Sequence, residues 1–416
     1  MKATNLYRWI PWIIVFMAFA ATGLDFLDRQ ILSVSIIKIK EEIAISAVDY
    51  GFIHTGFLIG YALMFTVAGI LIDRYGSRAG LAASVGVWSL ANGLHGIAGN
   101  VMHFISFRFL LGVGEGGAFP GAIKAVVEWV PKKRQALANG IAIGGAAIGA
   151  AIAPPLCIYL FRFTGWRGVF YVTTAAGFIW VLVWLLVSRK KYNKKAEQET
   201  LDDQASPIEK KKLNLSQLMK VKETWVFIVM RFLFDPALYF YMFWIPKYLN
   251  ETRGSNVEQI GKLFWIPFLA MGVSNMIGGW LSDVLFIRKG SINYARKVIM
   301  GVSALLTFPA FFVEKMPSAE WVIVIMTLVF FAHGLWITNY ITAISDTFGK
   351  TATSTIVGMS GTAGAISAVV LNPLIGLIVT KFSYEPVWWY AGIMYVVAFI
   401  VFMIFIPKLK LLKAYA

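Results

Sequence analysis

Long apolar segments constrain the fold of this chain more than any other feature of its sequence. Hydrophobic residues make up 58% of the 416 residues and charged residues only 14%, which leaves too little polar surface to coat a soluble protein. A transmembrane helix needs roughly 20 mostly apolar residues. The sequence predicts an all-α integral membrane protein with twelve such helices, near residues 10–36, 51–72, 80–98, 102–127, 136–160, 168–187, 224–248, 260–285, 295–313, 321–344, 353–380 and 387–406.

One long polar stretch, residues 188–223, divides the predicted helices into two sets of six. We therefore expect a first helical bundle at 1–187, a linker loop at 188–223 and a second bundle at 224–416. Placing the linker and both termini on one side puts 25 of the 38 lysines and arginines there, 9 on the other side and 4 within helices. Because cytoplasmic loops carry the excess of positive charge, both termini are predicted to be cytoplasmic.

The net charge of +16 is explained by this distribution, so we expect a surrounding lipid bilayer and no nucleic-acid partner. The single cysteine, Cys157, excludes an intramolecular disulfide and a cysteine-cluster metal site. The sequence also lacks a phosphate-cradling loop, a histidine-rich cluster and a nucleophile elbow. An enzyme is therefore not expected, and neither are catalytic residues, a cofactor or a bound metal.

The two predicted halves resemble each other at matching positions. The pattern G-x-L-x-D follows the second predicted helix at 69–73 and recurs after the eighth at 279–283, a shift of 210 residues. The same shift carries Asp25 onto Asp235. Two six-helix halves related by a repeat are typical of transporters that rock about a central site.

Away from their ends, the first and fourth predicted helices carry the charged residues Asp25, Asp28, Arg29, Arg108 and Glu115, and an uncompensated charge costs several kcal/mol there. Asp25 and Arg29 are one helical turn apart and are predicted to pair, whereas Asp28 points in another direction. Arg108 and Glu115 share one face of the fourth helix. Because the first and fourth helices run in opposite directions, Arg29 lies at the same membrane depth as Arg108, and Asp25 at the same depth as Glu115. We expect these two cations and three carboxylates to converge in one site.

Several segments of the chain resemble a known family. The loop GILIDRYGSR at 69–78 resembles the motif between the second and third helices of the major facilitator superfamily. Other segments resemble one branch of this superfamily, the anion:cation symporter family, and within it the bacterial hexuronate transporters most of all. These segments are LDRQILS, RFLLGVGEGGAFPGAIKAVVEWVP, GAAIGAAIAPPL, RFLFDPALYFYMFWIP, FAHG at 332–335 and ISDTFG at 344–349. The resemblance implies the twelve-helix fold of that superfamily. It also implies a monomer in the cell inner membrane that takes up a sugar acid, such as glucuronate or galacturonate, together with protons.

The resemblance also implies roles for individual residues. Arg29 matches the arginine that holds the substrate carboxylate, and its forked guanidinium suits that task. Asp28 and Glu115 match acidic positions that take up protons, and Tyr61 faces the cavity. Arg108 is expected to alternate between Glu115 and other partners. Our hypothesis is that protonation of Asp28 and Glu115 frees the arginines for substrate, while Asp25 either exchanges protons as well or only locks helices together.

The second half offers fewer candidates. Arg231 and Asp235 are one turn apart and are expected to pair near the cavity, in a structural role or against substrate. His333 lies at the depth of Glu115 and either contacts the sugar, titrating near neutral pH, or packs between helices. Further candidates for sugar contacts are Tyr239, Ser360 and Thr362, although small residues such as Ser360 are equally explained by close helix packing.

The repeated loop motif predicts a conformational gate. Asp73 is expected to accept hydrogen bonds from a neighbouring helix terminus or to pair with Arg134. Asp283 is expected to mirror it with Arg296 or Lys297. These residues would set the conformational equilibrium without choosing the substrate. The other members of the predicted gate motif are Gly69, Arg74, Gly76 and Arg78.

The sequence leaves the cargo and the coupling open. An acid beside the first-helix arginine, as Asp28 is here, is more typical of relatives that carry aldonates or animal organic anions. A symporter of galactonate, gluconate or another organic anion is therefore the main alternative to a hexuronate symporter. An antiporter and a transporter-like sensor are further alternatives, whereas a channel would need a continuous polar lining.

Overall fold

The computed structural model describes residues 2–45, 47–189, 215–255, 263 and 265–412, and its regular elements in these ranges are all helical. Short 3-10 turns connect several of the α-helices, at His95–Ile97, Lys132–Arg134 and Phe308–Lys315. The α-helices are α1 (Lys2–Ile39), α2 (Ala47–Tyr75), α3 (Ser77–Leu94), α4 (Val101–Glu115), α5 (Ala118–Trp129), α6 (Gln135–Val187), α7 (Leu215–Leu218), α8 (Lys222–Phe243), α9 (Ile245–Arg253), α10 (Trp265–Lys289), α11 (Ile292–Leu306), α12 (Ala319–Lys381) and α13 (Glu385–Phe405).

Ten helical segments of the described ranges are long and apolar enough to cross a membrane. The third predicted span corresponds to α3, which has only 18 residues, and the tenth and eleventh fall within one segment, Ala319–Leu371. The predicted count of twelve is therefore not confirmed by length and composition. However, Gly349, with a φ of 60°, kinks α12 between its two predicted spans, just as Gly165, with a φ of 63°, kinks α6. Glycine suits these kinks because a positive φ carries little steric cost without a Cβ.

The break between α4 and α5 follows Glu115 directly and lies inside one predicted span. Glycines on either side of Glu115 pack against neighbouring backbones: a Cβ on Gly114 would lie 2.5 Å from the backbone nitrogen of Trp88, and one on Gly116 would lie 2.9 Å from that of Phe65. The glycine-rich sequence therefore lets this region approach α2 and α3 closely. As a result Glu115 is fully buried where α4 ends.

The two halves pack against each other along two pairs of helices. In the pair formed by α2 and α12, a Cβ on Gly69 would lie 2.4 Å from the carbonyl oxygen of Ser354. In the pair formed by α6 and α10, a Cβ on Gly140 would lie 2.1 Å from the carbonyl oxygen of Asn275. Glycine at these positions thus permits backbone contact between the halves, as is common between membrane helices. The predicted domain boundaries stay a prediction, and most of the predicted linker lies outside the described residues.

Candidate functional site

Arg29 on α1 lies at the centre of the buried charges of the first half. Its Nη2 atom donates to Oδ1 of Asp25 at 3.0 Å, and its Nε atom donates to Oε2 of Glu115 at 2.7 Å. The arginine side chain keeps 20% of its surface exposed, whereas those of Asp25 and Glu115 are fully buried. Arg29 is therefore the accessible member of a three-residue ion cluster that joins α1 to the end of α4.

Three aromatic rings surround the Arg29 guanidinium. Its Cζ atom lies 4.7 Å from the ring centroid of Phe26, 5.2 Å from that of Phe57 and 4.6 Å from that of Tyr61. Arginine is attracted to the faces of such rings, and more strongly where water is scarce. The rings thus hold the guanidinium in place while leaving part of it open to a ligand. Tyr61 itself is buried, with 7% exposure.

Asp25 and Glu115 both bond to the guanidinium of Arg29, so their carboxyl groups lie close together. Neither Oδ2 of Asp25 nor Oε1 of Glu115 receives a hydrogen bond from a described donor. Two adjacent carboxylates strongly disfavour double ionisation, because like charges repel and burial removes solvation. One proton shared between Asp25 and Glu115 would therefore relieve this cluster.

Arg108 is buried beside this cluster, and its predicted alternation between Glu115 and other partners stays a prediction. Its two terminal nitrogens lie 3.4 and 3.5 Å from the carbonyl oxygen of Arg29. Glu115 pairs with Arg29 instead of Arg108, although both residues share a face of α4. The reason is that Glu115 sits at the end of α4, where the chain breaks and its side chain meets α1.

Asp28 lies inside the first half and takes no part in the hydrogen bonds of Arg29 with Asp25 and Glu115. Its Oδ1 atom accepts a hydrogen bond from Nδ2 of Asn92 on α3 at 3.0 Å, and the same amide nitrogen donates to Thr173 on α6 at 2.8 Å. All three side chains are at most 3% exposed. Asn92 was not among the predicted residues, since a single asparagine in an apolar helix gives no sequence signal of the residue that it will face.

The predicted pair of Arg231 and Asp235 on α8 is present, with 2.9 Å between Nε and Oδ2. The Arg231 guanidinium also faces the first half, because its Cζ atom lies 5.7 Å from the ring centroid of Phe65 on α2. Phe65 contacts Tyr61, with 4.9 Å between ring centroids. Arg29 and Arg231, one from each half, thus lie at neighbouring rings of α2.

Three other predicted contacts of the second half are engaged within the protein. His333 is buried and bonds through Nδ1 to the Tyr395 hydroxyl at 2.7 Å, which supports the helix-packing alternative. Ser360 donates to the carbonyl oxygen of Val357 in its own helix. Thr362 donates to the carbonyl oxygen of Ala62 at 3.0 Å and hydrogen-bonds to Thr66, so it joins the two halves. Tyr239 remains half-buried on α8.

Asp73, which belongs to the loop motif at the end of α2, connects the two halves. It accepts hydrogen bonds from the backbone N–H groups of Ser354 and Thr355 at 3.3 and 2.6 Å, and from the Thr355 hydroxyl at 2.7 Å. The predicted bond to a neighbouring helix is therefore present. The charged partner of Asp73 is Lys124, at 2.6 Å, and not Arg134, which was the other predicted alternative. Arg134 lies exposed on a 3-10 turn, whereas Lys124 projects from the buried helix α5.

Asp283 repeats this arrangement at the corresponding place in the second half. Its Oδ2 atom accepts a hydrogen bond from the backbone N–H of Leu137 at 2.9 Å, near the start of α6, and Arg296 lies 3.5 Å from Oδ1. Arg296 also pairs with Asp346 at 2.9 Å, and Lys132 of the first half pairs with the other oxygen of Asp346 at 2.7 Å. Lys297, the other predicted partner, bonds instead to carbonyl oxygens beyond α13.

The rest of the loop motif shapes the turn between α2 and α3. Gly76 has a φ of 86° and precedes the first residue of α3. Arg78 donates to the carbonyl oxygen of Leu185 at 3.1 Å, which ties α3 to the end of α6. Arg74 is exposed and lies over the ring of Tyr75. The motif therefore combines contacts between the halves, at Gly69 and Asp73, with contacts that hold the turn in place.

Over the described residues, no group of three or more His, Cys, Asp or Glu side chains is arranged to hold a metal ion.

Residues 18–371 match the Major Facilitator Superfamily. The chain belongs to this superfamily. Membership agrees with the all-helical structure and with the two facing halves, and it makes the protein a multi-pass membrane transporter and not an enzyme.

Superfamily members of known name are similar to the chain over most of its length. The hexuronate transporter of Escherichia coli K12 is 26% identical over 391 residues, which cover 91% of this chain and 89% of the relative. A probable sulfoacetate transporter of Cupriavidus necator is 30% identical and covers 84% of each chain. A solved structure of a proton:xylose symporter superposes with a TM-score of 0.75 over 97% of each chain at 15% identity, which shows the shared fold alone.

Proposed function

We propose that the protein takes up a sugar acid together with protons across the cell inner membrane, by alternating access. The proposed cargo is a hexuronate such as glucuronate or galacturonate. The observation that carries the proposal is Arg29, an accessible arginine held by two buried carboxylates inside a membrane protein of this superfamily. The protein is proposed to act as a monomer with both termini in the cytoplasm, using protons as the coupling ion and no other cofactor.

Substrate binding at Arg29 is a competition between carboxylates. The guanidinium already donates from Nε to Glu115 and from Nη2 to Asp25, and a substrate carboxylate that binds the Nε and Nη2 edge would take the same donors. The internal carboxylates release those donors most easily when they are protonated and neutral. Substrate binding and proton binding therefore favour each other at this cluster.

Proton coupling follows from the charges of the first half. Arg29 and Arg108 are two cations, and Asp25, Asp28 and Glu115 are three carboxylates, so one proton makes the group neutral. Burial of net charge in the membrane is costly, which favours uptake of that proton. A substrate anion brings one further negative charge and would favour a second proton. Asp28, bonded to Asn92 and not to an arginine, is the proposed second carrier.

Alternating access is proposed to run through the contacts at Asp73 and Asp283. Both residues tie one half to a helix of the other half at the end of the bundle predicted to be cytoplasmic. These contacts stabilise the conformation that is closed at that end. When they break, the halves can rock apart and release substrate to the cytoplasm.

Uptake into proteoliposomes tests the proposal. We expect radiolabelled glucuronate or galacturonate to accumulate when an inward proton gradient is imposed, and Arg29→Ala to abolish that accumulation. Uptake of galactonate or gluconate instead would favour the aldonate alternative. Uptake of sulfoacetate would indicate that the substrate is a shorter organic anion. Accumulation that needs a counter-anion inside but no proton gradient would indicate an antiporter, and binding without uptake would indicate a sensor.

A further inference from the structure

The ion pair of Arg231 and Asp235 has no part in the proton and carboxylate chemistry proposed for the first half. The two side chains keep 14% and 6% of their surface exposed, and the guanidinium faces the ring of Phe65 in the first half. The Nη1 atom of Arg231 has no hydrogen-bond acceptor among the described groups. A donor left without an acceptor inside a protein costs free energy unless a ligand or water accepts its hydrogen bond.

A transported substrate must contact both halves of the carrier. A ligand shifts a conformational equilibrium only by binding the two states with different affinity. Contacts confined to the first half would therefore not favour the conformation in which the second half closes over the ligand. Among the second-half residues predicted to contact substrate, His333, Ser360 and Thr362 bond to other protein groups. Arg231, whose Nη1 atom has no acceptor among the described groups, and its partner Asp235 form the pair with a donor left for a ligand.

The position of the pair matches a substrate whose carboxylate is held at Arg29. Arg29 lies at the ring of Tyr61 and Arg231 at the adjoining ring of Phe65, so both face the same surface of α2 from different halves. A compact molecule anchored at Arg29 would therefore present its far end to Arg231 and Asp235.

The chemistry of the pair indicates what that far end should be. Arg231 is neutralised by Asp235 at 2.9 Å, so the pair offers little net charge to a second anionic group. It does offer N–H donors beside a carboxylate acceptor. A sugar hydroxyl both donates and accepts, and two neighbouring hydroxyls fit a donor placed beside an acceptor.

We propose that Arg231 and Asp235 bind hydroxyl groups at the far end of the substrate and so select hydroxylated acids over simple organic anions. This inference rests on the proposed function, because it takes the carboxylate to be bound at Arg29. Gly364 holds the acceptor in place: a Cβ there would lie 1.9 Å from Oδ2 of Asp235, so α12 packs directly on the carboxylate. The Asp235 carboxylate is therefore held in place by the second half.

The test measures the uptake of two acids into proteoliposomes. One is a hexuronate, and the other is a carboxylic acid of similar size that lacks the hydroxyl groups at the end opposite its carboxylate. The double variant Arg231→Gln with Asp235→Asn removes both charges together, so that no buried charge is left unpaired. We expect it to raise the KM for the hexuronate roughly ten- to hundredfold, as for the loss of hydrogen bonds to charged groups. The KM for the deoxygenated acid should stay close to that of the unmodified protein.

A matched control and a second readout keep the inference falsifiable. The control double variant Arg167→Gln with Glu42→Gln removes an exposed ion pair, remote from Arg29, and should change neither KM. Direct binding, followed by the fluorescence of the chain's 15 tryptophans in detergent, should show the same loss of discrimination without any need for transport. An equal loss for both acids, or an unchanged preference for the hexuronate, would overturn the inference. The proposed function fails separately if the unmodified protein carries no acid or if Arg29→Ala has no effect.

Discussion

The Nε atom of Arg29 on α1 lies 2.7 Å from Oε2 of Glu115 at the end of α4, and the same guanidinium reaches Asp25 one turn earlier on α1. One accessible cation thus holds two buried carboxylates. A ligand carboxylate that takes the Nε and Nη2 donors of Arg29 displaces these two, and each displaced carboxylate is more easily accommodated in its protonated form. The following predictions test this arrangement and the contacts that close the bundle.

Glu115→Gln should uncouple transport from the proton gradient. Glutamine retains an oxygen that accepts the hydrogen bond from Arg29, but it cannot bind a proton. We expect uptake against a concentration gradient to disappear, while exchange of labelled for unlabelled substrate continues. Parallel measurements of accumulation and counterflow check this. Glu41→Gln, at an exposed pair with Lys38, is the control, and accumulation at the unmodified level in Glu115→Gln would contradict the coupling role.

Arg29→Lys should weaken substrate binding while leaving the protein folded. Lysine keeps the charge but not the planar fork that reaches both Asp25 and Glu115, and it stacks less well on the three surrounding rings. The loss of one hydrogen bond between charged groups predicts a KM increase of roughly ten- to hundredfold. Uptake kinetics with purified, quantified protein measure it. Arg167→Lys is the control, and an unchanged KM for Arg29→Lys would place the substrate carboxylate elsewhere.

Asp73→Asn should open the end of the bundle that Asp73 closes. The change removes the charge paired with Lys124 and one of the oxygens that accept from Thr355 and Ser354. A cysteine placed at Ala136, which is buried against Gly279 where the halves meet, reports the opening in a Cys157→Ser background. A loss of about 1.4 kcal/mol from the closed state would raise the reactive fraction, and so the labelling rate, about tenfold. An unchanged rate would show that Asp73 does not stabilise closure.

Gly69→Ala should have the same effect as Asp73→Asn by a steric route. Its Cβ would lie 2.4 Å from the carbonyl oxygen of Ser354, so α2 and α12 could not approach as closely. Gly86→Ala is the matched control, because no atom lies within 4 Å of a Cβ at that position. Thiol labelling at Ala136→Cys should increase in Gly69→Ala and not in Gly86→Ala. Equal labelling in both would mean that the helices adjust without opening.

The loop after α1 should stabilise the fold in a pH-dependent way. Hydrogen bonds from Arg167 and Trp166 lower the pKa of Glu42 below the usual value of 4.5. A carboxylate whose pKa is lower in the folded state stabilises that state above its unfolded pKa, and loses this effect as the pH falls through the folded value. We therefore expect Glu42→Gln to lower Tm slightly near pH 7 and to match the unmodified protein at a pH well below 4.5. A constant difference in Tm across this range would contradict it.

Pairs within one helix could be predicted from the sequence, and pairs between helices mostly could not. The spacing of four residues predicted Asp25 with Arg29 and Arg231 with Asp235, because the helical repeat places such residues on one face. For Asp73 the predicted contact with a helix terminus is present, but its charged partner is Lys124 and not the alternative Arg134. Lys124 was overlooked because it lies within an apolar span, and its reach to Asp73 depends on how α5 is rotated against α2.

The sequence by itself determined the membrane environment, the all-helical fold and the residues whose charge must be compensated inside the bilayer. It did so because hydrophobicity, helical period and the cost of a buried charge act locally. Tertiary structure alone decided that Glu115 pairs with Arg29, that Asn92 faces Asp28 and that His333 is packed against Tyr395. These pairings depend on the rotation and register of helices distant in sequence, which the packing of glycine-lined surfaces sets.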